Sequence, residues 1–309
     1  MTHPFIRVAE IWLPDAAGET LELGAGLYGD RHAFAAYSRP MRFKRGEGLP
    51  GAAWAERHPV IMGSFTGTTF RRTAAAAEAG LTSGIAMPIF ERETLKAVVV
   101  LLCGASESYV GAVEAWVNDP DEDAQIGLHD GHYGGAELFE RTSRITQFGR
   151  GFGLPGTVWS TGMPAVIPEL YRADRFLRRE EAIKVGLTSG VGLPFEADPP
   201  RAWVMTFLSA RGTPIVGRFE IWVPKDGKPT LSYLGGVDDA DTAGRPERVA
   251  AGEGLLGRVL ATGLPGASDA CRRDAPWLLP ARADGDGEAL AMPLLDPDGR
   301  ITAVTLWRL

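Results

Sequence analysis

Hydrophobic and polar residues alternate in the first strand-like stretch of the chain, residues 8–13. Successive side chains of a strand point to opposite faces, so Ile11 and Leu13 share one face while Glu10 and Trp12 share the other. The pattern predicts a β-strand that carries an apolar residue on each face. A turn rich in Pro, Asp and Gly follows, and then a second strand-like run, which together predict a β-hairpin.

Helices and short strands follow this hairpin. Residues 46–51 read Gly-Glu-Gly-Leu-Pro-Gly, and a proline shortly after Gly-x-Gly suits the first turn of a helix. Further predicted elements are the strand Val60–Met62, a helix near Arg71–Ala79 that ends at Gly80, and the strands Ile85–Phe90 and Ala97–Leu102. The order β-β-α-β-α-β-β predicts an α+β fold with an antiparallel sheet.

The same pattern occurs three times. Glu10-Ile11-Trp12 returns at Glu114 and again at Glu220, at offsets of 104 and 106 residues. Three further motifs follow it in constant order. The Gly-x-Gly motif lies at 46–51, 151–156 and 252–257, and Gly-Leu-Thr-Ser-Gly lies at 80–84 and 186–190. An x-Pro-x strand motif lies at 87–89, 193–195 and 292–294. Near-constant spacing of several motifs predicts a triplicated domain.

Each copy has about 100 residues, enough to close a modest core of its own. We predict three tandem domains with boundaries 1–104, 105–212 and 213–309. The third copy is degenerate, because it has Leu260 where the others have tryptophan and lacks the Gly-Leu-Thr-Ser-Gly segment. A ligand site is least expected there.

Taken in order, these motifs resemble those of the GAF domain family. In the second copy they are Gly151–Gly156, Gly162-Met163-Pro164, Phe176-Leu177-Arg178, Ala182–Ser189 and Gly192–Phe195. The resemblance implies a profilin- or PAS-like α+β architecture. It also implies a non-enzymatic sensory protein of a bacterial regulatory type that binds a small molecule and signals to a separate partner.

Two departures from the family bear on this expectation. GAF domains commonly carry long helices at both ends, whereas every copy here begins and ends in a strand-like segment. One sheet face then needs a cover, which a protein partner would supply. The alternative hypothesis is a scaffold or oligomerisation protein whose domains have lost ligand binding.

The family's pocket lies between the sheet and the helix with its preceding loop. The resemblance therefore points to a set of ligand-binding candidates that are equally compatible with core or capping roles. In the first copy they are Phe65, Phe70, Arg71, Thr82 and Ser83, and in the second Glu169, Tyr171, Phe176, Thr188 and Ser189.

Composition and charge limit the classes of partner that the chain is expected to bind. The net charge of −7 argues against nucleic acid and anionic membranes. The N-terminus has no signal-peptide pattern, and the two cysteines form no disulfide framework, so we expect a cytoplasmic protein with reduced thiols. The sequence identifies no cofactor and leaves the oligomeric state open.

Several possible chemical sites have a simpler structural explanation. The Gly-x-Gly motif lacks the Gly-Lys-Ser/Thr of a phosphate-binding loop, so we expect it to shape a helix entry. The Glu-x-Trp pairs predict packing plus a solvated carboxylate. His129 and His132 are three apart in a strand, so they are expected on opposite faces and not in a metal site. An enzyme using Cys103 or Cys271 is a third, weaker hypothesis.

Overall fold

The structure, a computed structural model, describes residues 4–104, 110–121, 123–195, 201–210, 212–225, 228–238, 244–279 and 286–309. Its strands form three six-stranded antiparallel sheets, one in each predicted segment. We call these units domains 1, 2 and 3. The α+β class with three tandem antiparallel sheets is confirmed, while the residue boundaries of the domains stay a prediction.

Domain 1 opens with the predicted hairpin and closes with two long strands. Its elements are β1 Ile6–Pro14, β2 Thr20–Leu27, α1 His32–Ser38, β3 Arg42–Lys44, α2 Gly48–Glu56, β4 Val60–Met62, α3 Thr73–Glu78, β5 Leu81–Glu91 and β6 Thr94–Gly104. The sheet order is β3-β2-β1-β6-β5-β4.

Domain 2 repeats this order. Its elements are β7 Val110–Asn118, β8 Ile126–Gly134, α4 Glu137–Ile145, β9 Gln147–Phe148, α5 Gly153–Thr161, β10 Ala165–Ile167, α6 Arg179–Val185, β11 Leu187–Phe195 and β12 Ala202–Ala210, with a 3-10 turn at Leu170–Arg172. The sheet order, β9-β8-β7-β12-β11-β10, matches that of domain 1.

Domain 3 keeps the sheet and a nine-residue helix at the Gly-x-Gly motif, and its next helix has only four residues. Its elements are β13 Arg218–Pro224, β14 Thr230–Asp238, β15 Arg248–Ala250, α7 Gly254–Thr262, β16 Gly266–Ser268, α8 Cys271–Asp274, β17 Ala289–Leu295 and β18 Ile301–Arg308, with a 3-10 turn at Pro276–Leu278. The stretch 281–287, which takes the place of the missing Gly-Leu-Thr-Ser-Gly segment, lies mostly outside the described residues.

The sequence pattern did not predict a helix and a short strand in each of the first two domains. These are α1 and β3 in domain 1, and α4 and β9 in domain 2. Helix α1 has seven residues and buries Phe34, Ala35 and Ser38. Two turns are too short to build a clear apolar period, and a strand of two or three residues leaves no alternation to read. Both elements matter for the site described below.

The Gly-x-Gly motif forms a helix entry, as predicted. In each domain the first glycine N–H donates to the carbonyl of the last, as in Gly151 N to Gly156 O at 2.7 Å. A Cβ at Gly156 would lie 2.2 Å from the carbonyl oxygen of Gly149, so only glycine fits this crossing of the backbone. The motif's amides are therefore used within the turn.

One face of each sheet, the face without helices, packs into a hydrophobic core that all three domains share. Side chains of alternate positions on the central strands meet there, among them Ile11, Leu101, Met205, Ile221 and Trp307. The opposite face of each sheet packs under that domain's own helices in a separate cluster. The prediction that Ile11 and Trp12 lie on different faces is thus confirmed, and the sheet face predicted to need a partner is covered within the chain.

The domains form a closed ring about a pseudo-threefold axis. Strand β4 packs against β8, β10 against β14, and β16 against β2, which is the same contact made three times. The three x-Pro-x motifs meet at one narrow cleft, with Pro88, Pro194 and Pro293 contributed by the three sheets. Because domain 3 contacts domain 1 in the same way that each domain contacts the next, the head-to-tail arrangement is closed.

The glycine crossing can be tested in domain 2. We expect Gly156→Ala to reduce the free energy of unfolding by about 1–3 kcal/mol, because the added Cβ forces two backbone segments apart. Gly127→Ala is the control, since a Cβ there would meet nothing within 4 Å. Urea denaturation followed by tryptophan fluorescence measures both. Equal effects of the two substitutions would contradict this explanation.

Candidate functional site

The carboxylate of each Glu-x-Trp motif is buried, which corrects the prediction of a solvated one. In domain 1, Arg72 donates from Nη1 to Glu10 Oε1 at 2.5 Å and from Nη2 to Oε2 at 2.8 Å. Tyr28 donates to Oε1 at 2.9 Å, and the Trp12 indole donates to Oε2 at 3.0 Å. Four donors on one carboxylate make burial of the charge tolerable.

Domain 2 repeats the arrangement with equivalent residues. Arg178 donates to both oxygens of Glu114 and also to Ser143 of α4. Thr206 donates its hydroxyl hydrogen to Glu114 at 2.8 Å, and the Trp116 indole donates to the same carboxylate at 3.2 Å. Burial opposes ionisation of Glu114 most strongly, but the charge and hydrogen bonds of Arg178 outweigh it and keep the pKa of the carboxyl below its usual range.

Domain 3 reaches the same result by another route. Its arginine comes from the strand itself, two residues before the glutamate, and Arg218 donates to Glu220 at 2.7 and 3.0 Å. Arg245 donates to the same oxygen at 2.9 Å, and the indoles of Trp222 and Trp277 donate to the other. The buried carboxylate is thus retained although its arginine comes from a different element.

These clusters occupy the space between sheet and helices where the resemblance placed a ligand. In domain 1, aromatic rings surround the Arg72 guanidinium at 4.9–5.9 Å, those of Trp12, Phe34, Phe43 and Phe70. In domain 2, Arg178 has four rings around it in the same way. A protein cation already fills this position.

The candidates of domain 1 fall into two groups. Phe65 and Phe70 stack on each other at 3.7 Å in the domain core, and Ser83 is buried. Thr82 is exposed, and Arg71 is half exposed with its guanidinium on Glu47 at 2.6 Å. The neighbouring Arg72, not Arg71, is the arginine directed into the domain interior. The pair Arg-Arg gives no sequence signal to choose between them.

Most of the ligand-binding candidates predicted in domain 2 lie together. Phe176 is a core residue beside Arg178, but Glu169, Tyr171, Thr188 and Ser189 all line one cavity. This cavity has a volume of about 200 Å³ and lies between domains 2 and 3, on the side of the sheet facing the neighbouring domain. We call it the junction cavity.

Aromatic rings from both domains wall the junction cavity. Trp307 lies edge-on to Phe207 at 5.1 Å and to Phe219 at 4.7 Å. Val237 completes the wall on the domain 3 side. No sequence motif marks these four residues, because only the packing of one domain on another brings them together.

Polar groups lie on the other side of the cavity. Tyr171 donates its hydroxyl hydrogen to Glu169 at 2.7 Å, and Thr188 donates to the carbonyl of Ser209 at 3.2 Å. Glu169 and Tyr171 are the only ionisable side chains among the lining residues. The site therefore combines an apolar, aromatic wall with hydroxyl groups and one carboxylate, the composition expected of a small-molecule pocket.

The segment 213–217 forms the floor of the cavity and joins all three domains. Thr213 donates to Val110 at 2.7 Å, and the Ile215 N–H donates to Ser209 at 3.0 Å, both in domain 2. Phe5 and Ile6 of domain 1 donate backbone N–H groups to this segment at 2.8 and 3.1 Å, and its last residue donates to Arg308 of domain 3 at 2.9 Å.

Equivalent positions of the three junctions carry different side chains. Val237 of β14 has the strand position that His132 has in β8 and Leu27 in β2. His132 stacks on Phe5 at 5.5 Å, whereas Val237 pairs with the larger Phe219 and lines the junction cavity.

The histidines lie on one face of β8, so the prediction of opposite faces was wrong. Trp116 pairs with Leu128 and Ala115 with Asp130, which makes His129 the extra residue of a β-bulge and shifts the alternation. His129 then contacts Trp203 and His58 at 4.8 and 5.3 Å. Within the described residues, no group of three or more His, Cys, Asp or Glu is placed to hold a metal ion.

Both cysteines are buried. Burial raises the pKa of Cys103 far above its usual range and that of Cys271 to about 12. A thiolate is the nucleophilic form of cysteine, so neither residue is activated. No helix in the described part of the chain is both long and apolar enough to cross a membrane.

Comparison with known proteins finds neighbours of the fold alone. No family model and no curated protein matches the chain. Among solved structures, a Staphylococcus aureus NreA protein mutated in its nitrate-binding site is 22% identical over 35% of this chain and 80% of its own, with a TM-score of 0.28. The A. aeolicus nlh2 GAF domain, in an inactive state, is 20% identical over 33% of this chain and 59% of its own, with a TM-score of 0.27.

A third match is the free methionine-R-sulfoxide reductase of Neisseria meningitidis, 19% identical over 32% of this chain and 52% of its own, with a TM-score of 0.25. Each match spans about a third of this chain, the length of one domain, and the last two are matched over less than two thirds of their own lengths. The GAF-like character of the three domains rests on their strand order and motifs.

The buried ion pair can be tested in domain 2. Glu114→Leu leaves Arg178 buried without its counter-charge, and we expect a loss of about 3–5 kcal/mol in the free energy of unfolding. The double variant Glu114→Leu with Arg178→Met should recover most of it. As a control, Glu140→Ala removes the exposed pair with Arg144 and should cost at most about 1 kcal/mol. Urea denaturation measures all three, and similar losses for the two single variants would refute the assignment.

Proposed function

We propose that this chain is a non-enzymatic, small-molecule-binding regulatory protein and that its ligand occupies the junction cavity between domains 2 and 3. The observation that carries the proposal is the cavity itself, about 200 Å³ in volume, which four of the ligand-binding candidates line, although the resemblance placed their pocket on the other face of the sheet. Pockets for drug-sized molecules have volumes of about 300–1,000 Å³. The ligand is therefore small.

The lining defines the chemical class of this ligand. Three aromatic rings favour an apolar, planar body, and the polar side offers hydroxyl groups and the Glu169 carboxylate. No cationic side chain lines the cavity itself, and the arginine beside it, Arg172, is already paired with Glu169 at 2.9 Å. We infer a neutral or cationic ligand with an aromatic ring and a hydrogen-bond donor.

The position of the cavity suggests how binding would be transmitted. A ligand there touches domains 2 and 3 and the segment 213–217, which is hydrogen-bonded to the first strand of domain 1. Any shift of this segment moves the contacts of all three domains together. The regulatory output in this proposal is a change in the ring's outer surface that a separate protein partner in the cytoplasm recognises.

The filled interiors of domains 1 and 2 favour a second candidate. The Glu–Arg clusters take the place that a ligand would have in each domain, which is what a scaffold without ligand binding would retain. The two candidates differ in one respect. The first requires a ligand in the junction cavity, and the second requires none anywhere.

Ligand binding is tested by thermal shift and calorimetry with indole, benzylamine and benzoate as probes. We expect indole or benzylamine to raise the melting temperature and benzoate to have no effect, since bound ligand stabilises the folded state by RT ln(1 + [L]/Kd). Thr188→Phe should abolish the shift by filling the cavity. Thr82→Phe, at the equivalent exposed position of domain 1, should retain it.

The proposal fails if no neutral or cationic probe stabilises the wild-type chain and native mass spectrometry finds no co-purified small molecule. It also fails if Thr188→Phe and Thr82→Phe respond alike. Either result would favour the scaffold.

A further inference from the structure

Three of the four histidines in the described residues lie at the junction between domains 1 and 2. His58 comes from domain 1, between α2 and β4, and its ring stacks on that of Trp203 in β12 with 3.9 Å between the ring centroids. His129 of β8 lies edge-on to both rings, at 5.3 Å from His58 and 4.8 Å from Trp203. These rings form one cluster with members from both domains.

His132 contacts domain 1 at a second point. Its ring stacks on Phe5 at 5.5 Å, and Phe5 is buried in the shared core. A Cβ added to Gly63, just after β4, would lie 3.5 Å from Nδ1 of His132. Domain 1 thus covers this imidazole ring, and a charge on the ring would lose hydration.

The other two junctions carry no titratable side chain at the four positions equivalent to His58, His129, His132 and Trp203. Between domains 2 and 3 these positions are, in the same order, Met163, Leu234, Val237 and Ala303. Between domains 3 and 1 they are Leu264, Gly24, Leu27 and Ala97. The histidines are therefore a property of one junction and not of the repeated fold.

The surroundings of His129 disfavour its charged form. Burial is the largest influence on the pKa of His129 and lowers it, and the neighbouring His58 lowers it further. The carboxylates of Asp130 and Glu56 act in the opposite direction, and the charge of Arg201 again lowers the pKa. The pKa of His129 therefore lies below the ordinary value of 6.5.

His132 shows the same direction for a similar reason. Burial lowers the pKa of His132, and the carboxylates of Glu140 and Asp130 offset this only in part. Glu140 is itself paired with Arg144 at 2.6 Å. Both histidines of β8 thus pack against domain 1 most favourably as neutral rings.

We propose that the junction between domains 1 and 2 is a pH-sensitive contact, which protonation of His129 and His132 loosens. Opening exposes both rings to water, where they bind protons with the ordinary pKa of about 6.5. The open state therefore binds more protons than the closed state below that pH, so the closed junction is fully stable above it and loses stability as the pH falls. The inference is independent of the junction cavity and of its ligand.

Hydrogen exchange followed by mass spectrometry tests the proposal by comparing two junctions within one molecule, since exchange reports local opening. We expect peptides that cover β4 and β8 to exchange about fivefold faster at pH 5.5 than at pH 7.5, after correction for the intrinsic exchange rate. Peptides that cover β10 and β14, the equivalent contact of domains 2 and 3, should show no such change. Equal acceleration at the two junctions, or none at either, overturns the proposal.

Substitutions assign the effect to the two histidines. His129→Leu with His132→Val installs the residues of the junction between domains 2 and 3, and it should abolish the pH dependence of exchange in β4 and β8. His129→Gln with His132→Gln, which keeps polar side chains, should do the same. His32→Gln removes an exposed histidine on α1 and should retain the wild-type response.

A measurement on the unsubstituted chain completes the test. An NMR titration should give midpoints below 6.5 for the rings of both His129 and His132. Midpoints at or above 6.5 contradict the proposal, and so does a wild-type pH response in either double variant.

Discussion

The three sheets of this chain depend on one another because each has two apolar faces and helices for only one of them. A sheet face with residues such as Ile11, Met205 and Ile221 cannot stay in contact with water at an acceptable cost. The closed ring resolves this by turning all three uncovered faces into one shared core. Repeated contacts of β4 with β8, β10 with β14 and β16 with β2 follow from that arrangement.

The candidate sites follow from the same constraint. The helix-covered interior of each domain is occupied by a buried carboxylate with its arginine, and the junction cavity lies where domains 2 and 3 meet. The shared segment 213–217 connects this cavity to every domain. The outer surface remains free to differ between domains, as the exposed residues of α4 and α6 show.

The sequence predicted the repeat, the α+β class, the hairpins and the glycine-defined helix entries, because each depends on local patterns of a few residues. It missed α1, which is too short to show a period, and α4, which ends at Thr146 without a glycine cap. It placed His129 and His132 on opposite faces, because a β-bulge at His129 leaves no mark in the sequence. Four of its candidate residues line the junction cavity, but Phe207, Phe219 and Trp307 could not be found, since only the packing of two domains brings them to one place.

The central claim is that the shared core makes three domains one cooperative unit. The most direct measurement is differential scanning calorimetry of Met205→Asp, which places a carboxylate in that core at a cost of several kcal/mol. The account predicts a single transition at a lowered temperature, with equal calorimetric and van't Hoff enthalpies for the whole chain. Two transitions, one lowered for domain 2 and one at the wild-type temperature for domains 1 and 3, would contradict it.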